Sequence, residues 1–209
     1  MSGLFYFLLT GTHTFVLLKN YKGSKMRKLV VSAWVTLDGI FDADTMQEWF
    51  FPFNSIAKDE YIRNSILEAD ALLVGRTTFE MLASYWPFQL NDDNGPASKI
   101  NSMKKFVVSA KLEKADWNNS AIINKDIAEE IRKLKQQEGS EIQIPGSATL
   151  TQSLMKENLI DEFRLLVHPV IMGTGKRFFK DEMKTSGMKL VKTQTIDKSV
   201  VLLCYQLVN

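Results

Sequence analysis

From Met26 onward, short runs of β-branched and aliphatic residues alternate with longer segments of helical period, a pattern that argues for a largely parallel sheet with crossover helices. The runs predict strands over 28–36, 70–75, 104–109, 120–123 and 141–145, and the periodic segments predict helices over 56–67, 77–84, 127–137 and 148–156. In the third helix Ile127, Ile131 and Leu134 fall on one stripe with charges elsewhere. Thr77 with Glu80, and Asp126 with Glu129, have capping-box spacing, in which the first side chain accepts from an early helix N–H and the glutamate reaches back. After residue 160 the pattern changes to strands alone, over 162–168, 189–195 and 200–207, the last two joined by the polar turn Ile196-Asp197-Lys198-Ser199. The expected fold class is α/β in three layers: a mostly parallel central sheet, helices on both faces, and an antiparallel C-terminal strand pair.

No repeat, low-complexity segment or polar linker divides the chain, so residues 26–209 read as one domain preceded by a leader over 1–25. Residues Leu4 to Leu18 are mostly apolar, but polar residues from Thr10 to Thr14 interrupt them, well short of the roughly 20 residues a bilayer span needs. Lys19, Lys22 and Lys25 follow the apolar run, whereas a secretory signal carries its positive charge before it. The leader reads as a weakly ordered appendage or a misassigned start, with a peripheral membrane anchor as the rival reading. Beyond it, 23 basic residues face 24 acids, which excludes a basic nucleic-acid binder. One cysteine, Cys204, cannot form an internal disulfide, and the two histidines, His13 and His168, supply no zinc set. No metal and a reducing, cytoplasmic setting are therefore expected.

Two junctions share one design, a buried strand running into glycine and then a helix start, whose unpaired N–H groups and positive dipole end attract phosphate. At Val74-Gly75-Arg76-Thr77, Gly75 permits close backbone approach, Arg76 offers a forked cation and a threonine hydroxyl adds a donor. A capped structural helix with a solvated arginine accounts for the same residues. At Ile144-Pro145-Gly146-Ser147-Ala148, small residues let a diphosphate sit against the helix start, while Ser147 as a plain N-cap is the alternative. A third strand ends in Ser109-Ala110-Lys111, suited to an extra phosphate on an adenosine ribose, or simply a polar strand terminus. Three such ends on one sheet edge would collect a dinucleotide.

Other motifs lead elsewhere. Gly173-Thr174-Gly175-Lys176-Arg177 lacks the upstream glycine and the following Ser/Thr of a P-loop, and Phe178 stands where a dinucleotide fingerprint needs glycine. It reads as a tight turn leading into a buried Phe178-Phe179 pair. His168, before Pro169, reads as a residue that fixes local structure, and Cys204 as core. Asp38, Asp42 and Asp44, with Trp49 nearby, form one dense polar and aromatic group after the first strand. Asp38-Gly39 reads either as a turn or as a carboxylate placed to orient a substrate or relay a proton.

Taken in order, Ser32-Ala33-Trp34-Val35-Thr36-Leu37-Asp38-Gly39, Val74-Gly75-Arg76-Thr77-Thr78-Phe79-Glu80, Tyr85-Trp86-Pro87, Val107-Val108-Ser109, Pro145-Gly146-Ser147-Ala148-Thr149-Leu150, Leu159-Ile160-Asp161-Glu162-Phe163-Arg164-Leu165 and the 168–179 block resemble the dihydrofolate reductase-like superfamily. More closely, they are similar to the C-terminal reductase domain of the bifunctional riboflavin-biosynthesis deaminase-reductase, a 5-amino-6-(5-phosphoribosylamino)uracil reductase. The likeness covers nearly all of 26–209. It implies an NADPH-dependent reductase in which Ala33, Gly75, Arg76, Thr77, Ser109, Lys111, Ile144, Gly146, Ser147 and Ala148 hold the dinucleotide. It further implies that the first-strand loop, Asp38-Gly39, lies beside nicotinamide and substrate; with the residue pattern, this makes Asp38, Gly39 and Trp49 the expected substrate contacts and Asp38 the candidate proton relay. Hydride would pass to a C=N or C=O carbon of a small heterocyclic or carbonyl compound, and the chain would be a homodimer through its C-terminal strands. Two departures stand out: Pro145, without an N–H, precedes a single glycine where dihydrofolate reductases carry a glycine pair, and no folate-binding acid matches. The reading from another class is a catalytically idle dimeric nucleotide-binding or interaction protein on the same fold.

Overall fold

Alternation along the first strand, β1 (Lys28–Thr36), sends Leu29, Val31, Ala33 and Val35 to one face and Ser32 and Trp34 to the other, so both faces need cover. The computed structural model describes residues 26–89, 94–180, 185–197 and 199–208; the leader and Lys198 of the expected C-terminal turn lie outside them. Among the described residues, β1, β2 (Ala71–Gly75), β3 (Lys104–Val108), β4 (Ser120–Ile123), β5 (Glu141–Pro145), β6 (Glu162–His168), β7 (Met188–Ile196) and β8 (Val200–Leu207) form one sheet in the order β4-β3-β2-β5-β1-β6-β8-β7. Pairing is parallel from β4 through β6, and β8 runs antiparallel to both β6 and β7. The expected α/β architecture, with its antiparallel C-terminal pair, is the one that forms.

The helices are α1 (Met46–Trp49), α2 (Ile56–Glu68), α3 (Arg76–Ala83), α4 (Pro96–Ser102), α5 (Ile127–Gln136) and α6 (Ala148–Lys156). Ile131 and Leu134 of α5 and Leu150 and Leu154 of α6 pack on the Leu29 and Val31 face. On the other face, Phe79 of α3 and Ile100 of α4 cover Leu72, Val74 and Val107, while Tyr61 and Ile62 of α2 lie over Trp34, Leu166 and Leu202. Arg164 on β6 donates to both oxygens of Glu141 on β5, at 3.0 and 2.9 Å, and to Glu162 at 2.8 Å, tying two strands across the intervening β1.

Neither capping box forms. Strand β2 keeps pairing through Gly75, opposite Val108, so α3 begins at Arg76 and Thr77 already lies inside it. Asp126 is left-handed, at φ 46°, and its side chain makes no cap on α5. Two helices escape the periodicity: α1 spans four residues, and α4 buries only Ala97 and Ile100, too few to establish a stripe.

His168, at the end of β6, is fully buried among the rings of Trp49, Phe50 and Phe53, with Nδ1 3.3 Å from the Val35 carbonyl. Lys58 of α2 is equally buried, donates to the Phe50 carbonyl at 2.8 Å and lies 3.6 Å from the centre of that ring. Burial, aided by the Lys58 charge, depresses the His168 imidazole from 6.5 to about 4. The unfolded chain therefore takes up a proton between those values that the folded chain refuses. Stability from this residue is complete above pH 6.5 and declines toward pH 4, by up to roughly 3 kcal/mol. Urea unfolding across that range should show a shallower pH slope for His168→Leu than for the native protein; equal slopes would contradict the assignment.

Candidate functional site

Because β3, β2, β5 and β1 are parallel neighbours, their C-terminal ends lie in a row. Gly75 closes β2, Pro145 closes β5 and Ser109 follows β3, so the three junctions suited to anions share one edge of the sheet. At the end of β5 the backbone takes two successive left-handed residues, Gly146 at φ 71° and Ser147 at φ 50°. A Cβ on Gly146 would come within 2.5 Å of the Phe41 ring, so glycine alone fits beneath it. The Gly146 N–H donates to the Ser32 carbonyl at 2.8 Å. The Ser147 hydroxyl does not cap α6; it accepts from the Gly75 N–H at 3.1 Å and donates to Thr78 Oγ1 at 2.8 Å. This pair of bonds joins the start of α6 to the start of α3. Neither helix start carries a side-chain cap, which leaves first-turn N–H groups of both without an intrahelical partner.

The flanking residues differ in how they meet this edge. Arg76 is exposed and bonds Glu80 on its own helix at 3.1 Å, and Thr77 is exposed beside it. Ser109 Oγ accepts from the Lys111 and Leu112 N–H groups at 3.1 and 3.0 Å, shaping the turn, and the Lys111 side chain is exposed. The Ile144 side chain is buried in the α5 and α6 core, so only its backbone borders the edge. Ala148 is half-buried at the start of α6.

Beside the edge, on the α2 face of the sheet, lies a cavity of about 200 Å³. Trp34 and Gln143 line it from the sheet, with Ala33 at its margin; Phe41, Met46 and Trp49 line it from the segment after β1, and Tyr61, Ile62 and Ile66 of α2, Leu82 of α3 and Trp86 from the helices. Thr78 and Gly146 line it too, so it adjoins the Ser147 bridge. Trp49 stands in the wall as the sequence suggests, only 2% exposed, with its indole N–H donating to the Asp42 carbonyl at 3.1 Å. Most of the wall escapes sequence reasoning because large apolar residues around a cavity and in a core have the same pattern.

Asp38 and Gly39 do not line the cavity. The Asp38 carboxylate accepts from the Thr36 hydroxyl at 2.6 Å and from the Met172 and Gly173 N–H groups at 3.2 and 2.7 Å. The Thr36 hydroxyl foremost, and these amides, hold its carboxyl down at about 2. Asp38 is thus an ionised clasp between two loops, with no proton to give at neutral pH. Gly39, at φ 80°, makes the turn, and its N–H donates to the Thr36 carbonyl at 2.9 Å.

The order of the sheet, the helices on both faces and the antiparallel C-terminal pair define an α/β fold like that of dihydrofolate reductase. Residues 27–202 match the RibD C-terminal domain, and the chain belongs to that family of reductase-like domains. The uncharacterized protein YyaP of Bacillus subtilis (strain 168) is 31% identical over 184 residues, spanning 87% of this chain and 95% of YyaP. Among solved structures, a provisionally described riboflavin biosynthesis protein from Shewanella sp. PV-4 superposes with a TM-score of 0.67 at 19% identity, over 87% of this chain and 99% of that one. Dihydrofolate reductase from Enterococcus faecalis, solved with NADP(H), superposes with a TM-score of 0.58 at 12% identity, over 87% and 97%. At these identities the two superpositions establish the shared fold.

Removing the bridging hydroxyl in Ser147→Ala leaves the Gly75 N–H without its acceptor, which should cost roughly 1–2 kcal/mol in urea unfolding. A change within a few tenths of a kcal/mol would show that the bridge holds nothing.

Proposed function

We propose that the chain is an NADPH-dependent reductase that delivers a hydride to a C=O or C=N carbon of a small ring compound held in the cavity. The observation that carries this reading is the Ser147 bridge, which sets two uncapped helix starts side by side next to that cavity. Paired N–H donors at two dipole ends suit a diphosphate, and the small residues Gly75, Gly146 and Ala148 let it approach the backbone. Pro145 contributes no N–H and that of Gly146 is spent on Ser32, so the amides from Ala148 onward would carry the α6 share of the contact. Ser109, Lys111 and Arg76 flank the side on which a ribose phosphate would lie, Thr77 adds a hydroxyl, and Ala33 with the Ile144 backbone borders the nicotinamide end.

A bound nicotinamide supplies the hydride; the protein's work is to orient and to keep water out. Phe41, Trp49 and Trp86 all line the cavity, so the reacting carbon sits among apolar side chains. We further propose a cytoplasmic homodimer joined through β7, whose residues 189–195 are exposed and present Leu190 and Val191. Among the described residues, no helix is long and apolar enough to cross a membrane.

Four tryptophans, three of them lining the cavity, should report NADPH binding by fluorescence. Arg76→Ala should weaken NADPH roughly tenfold, the worth of one charge-assisted hydrogen bond, while changing NADH less than about twofold. No response to either nucleotide at millimolar concentration would remove the reductase reading, and equal weakening would move Arg76 to the diphosphate.

A further inference from the structure

We infer that the substrate is an uncharged, planar aromatic carbonyl compound, and that the site rejects ring compounds bearing a carboxylate or phosphate. The inference rests on the reductase reading and narrows its substrate. Among the described residues, no wall of the cavity carries a charged side chain. Its polar groups are neutral: Gln143 Nε2 donates to Ser65 Oγ at 2.7 Å, Thr78 Oγ1 accepts from Ser147 at 2.8 Å, and the buried Tyr61 hydroxyl has no partner among the described residues and is left to meet a neutral carbonyl oxygen. Nearby cations are spoken for. Lys58 is held by the Phe50 carbonyl at 2.8 Å, Lys176 by Asp42 and Asp44 at 3.1 and 2.7 Å, and Arg177 by the Asp38 carbonyl at 3.1 Å.

An anion entering such a cavity loses its hydration and meets no counter-charge, a cost of several kcal/mol. A flat neutral ring loses little and gains contact with the aromatic side chains of Trp34, Trp49 and Trp86 that line the cavity. A cavity of about 200 Å³ accommodates one small ring system rather than a ring with a sugar phosphate attached. In the reaction, a C–H bond would form at the carbonyl carbon as a ring C–H bond of the reduced nicotinamide breaks, the hydrogen carrying both electrons of that bond. The C=O π bond breaks, and the alkoxide oxygen takes its proton from water, yielding the alcohol and NADP⁺. Asp38 stays ionised and turned away, and His168 is sealed behind Trp49, so neither is required as the acid.

Two probes of matched shape isolate charge: 4-nitrobenzaldehyde, which is neutral, and 4-carboxybenzaldehyde, which is an anion at pH 7. Calorimetric titration of the native protein, with and without NADP⁺, should find the neutral aldehyde bound on the order of 100-fold more tightly. Oxidation of NADPH should accompany the neutral aldehyde and be absent with 5-amino-6-(5-phosphoribosylamino)uracil. Equal affinity for the two aldehydes, no binding of either at millimolar concentration, or turnover of the phosphoribosyl compound would overturn the inference. Tight binding of the neutral aldehyde by a protein that ignores NADPH would sink the reductase reading instead, while supporting the cavity's preference for uncharged rings.

Discussion

The hydroxyl of Ser147 accepts from the backbone of β2 and donates to a side chain of α3, although it belongs to the turn between β5 and α6. Two left-handed residues in succession make this possible, because they swing the chain off β5 sharply enough to face the serine back toward its neighbour. The result is that two helix starts, from segments some seventy residues apart, are fixed at one place on the sheet edge. Each keeps its first-turn amides unspent because the residues that would ordinarily cap them are a glycine and a serine occupied elsewhere. The cavity depends on the same arrangement, since Thr78 and Gly146 form part of its lining.

The fold was legible because its signals are local. β-branched runs bounded by glycine or polar turns marked the strands, and 148–156 was readable as a helix to the residue. The short elements after β1 and after α3 were not, since three- and four-residue helical turns bury too little to impose a period. Capping boxes misled for a related reason: the spacing is right, but Asp126 adopts a left-handed backbone and Thr77 sits one residue too far in, outcomes decided by the sheet rather than by the helix sequence.

Of the site, the glycine junctions could be read because they require special backbone, and parallel strand order then places them together. The cavity wall could not. Trp34, Phe41, Ile62 and Trp86 carry no mark that distinguishes lining from core, and only the packing of α2 and α3 leaves the space between them. Conversely, Asp38 looked chemical because it is an acid after a strand, yet its bonds to Thr36, Met172 and Gly173 make it a loop clasp. Polar residues advertise themselves in sequence whether they serve a reaction or a turn. The reacting environment proposed here is the apolar one, which advertises nothing.

If the paired helix starts anchor a dinucleotide, backbone amide chemical shifts during NADPH titration show it most directly. The largest changes should fall together on Arg76 to Thr78 and on Ala148 to Leu150, with smaller ones at Ala33 and Ser109. Saturable shifts that leave both helix starts untouched, or that touch one and spare the other, would contradict it.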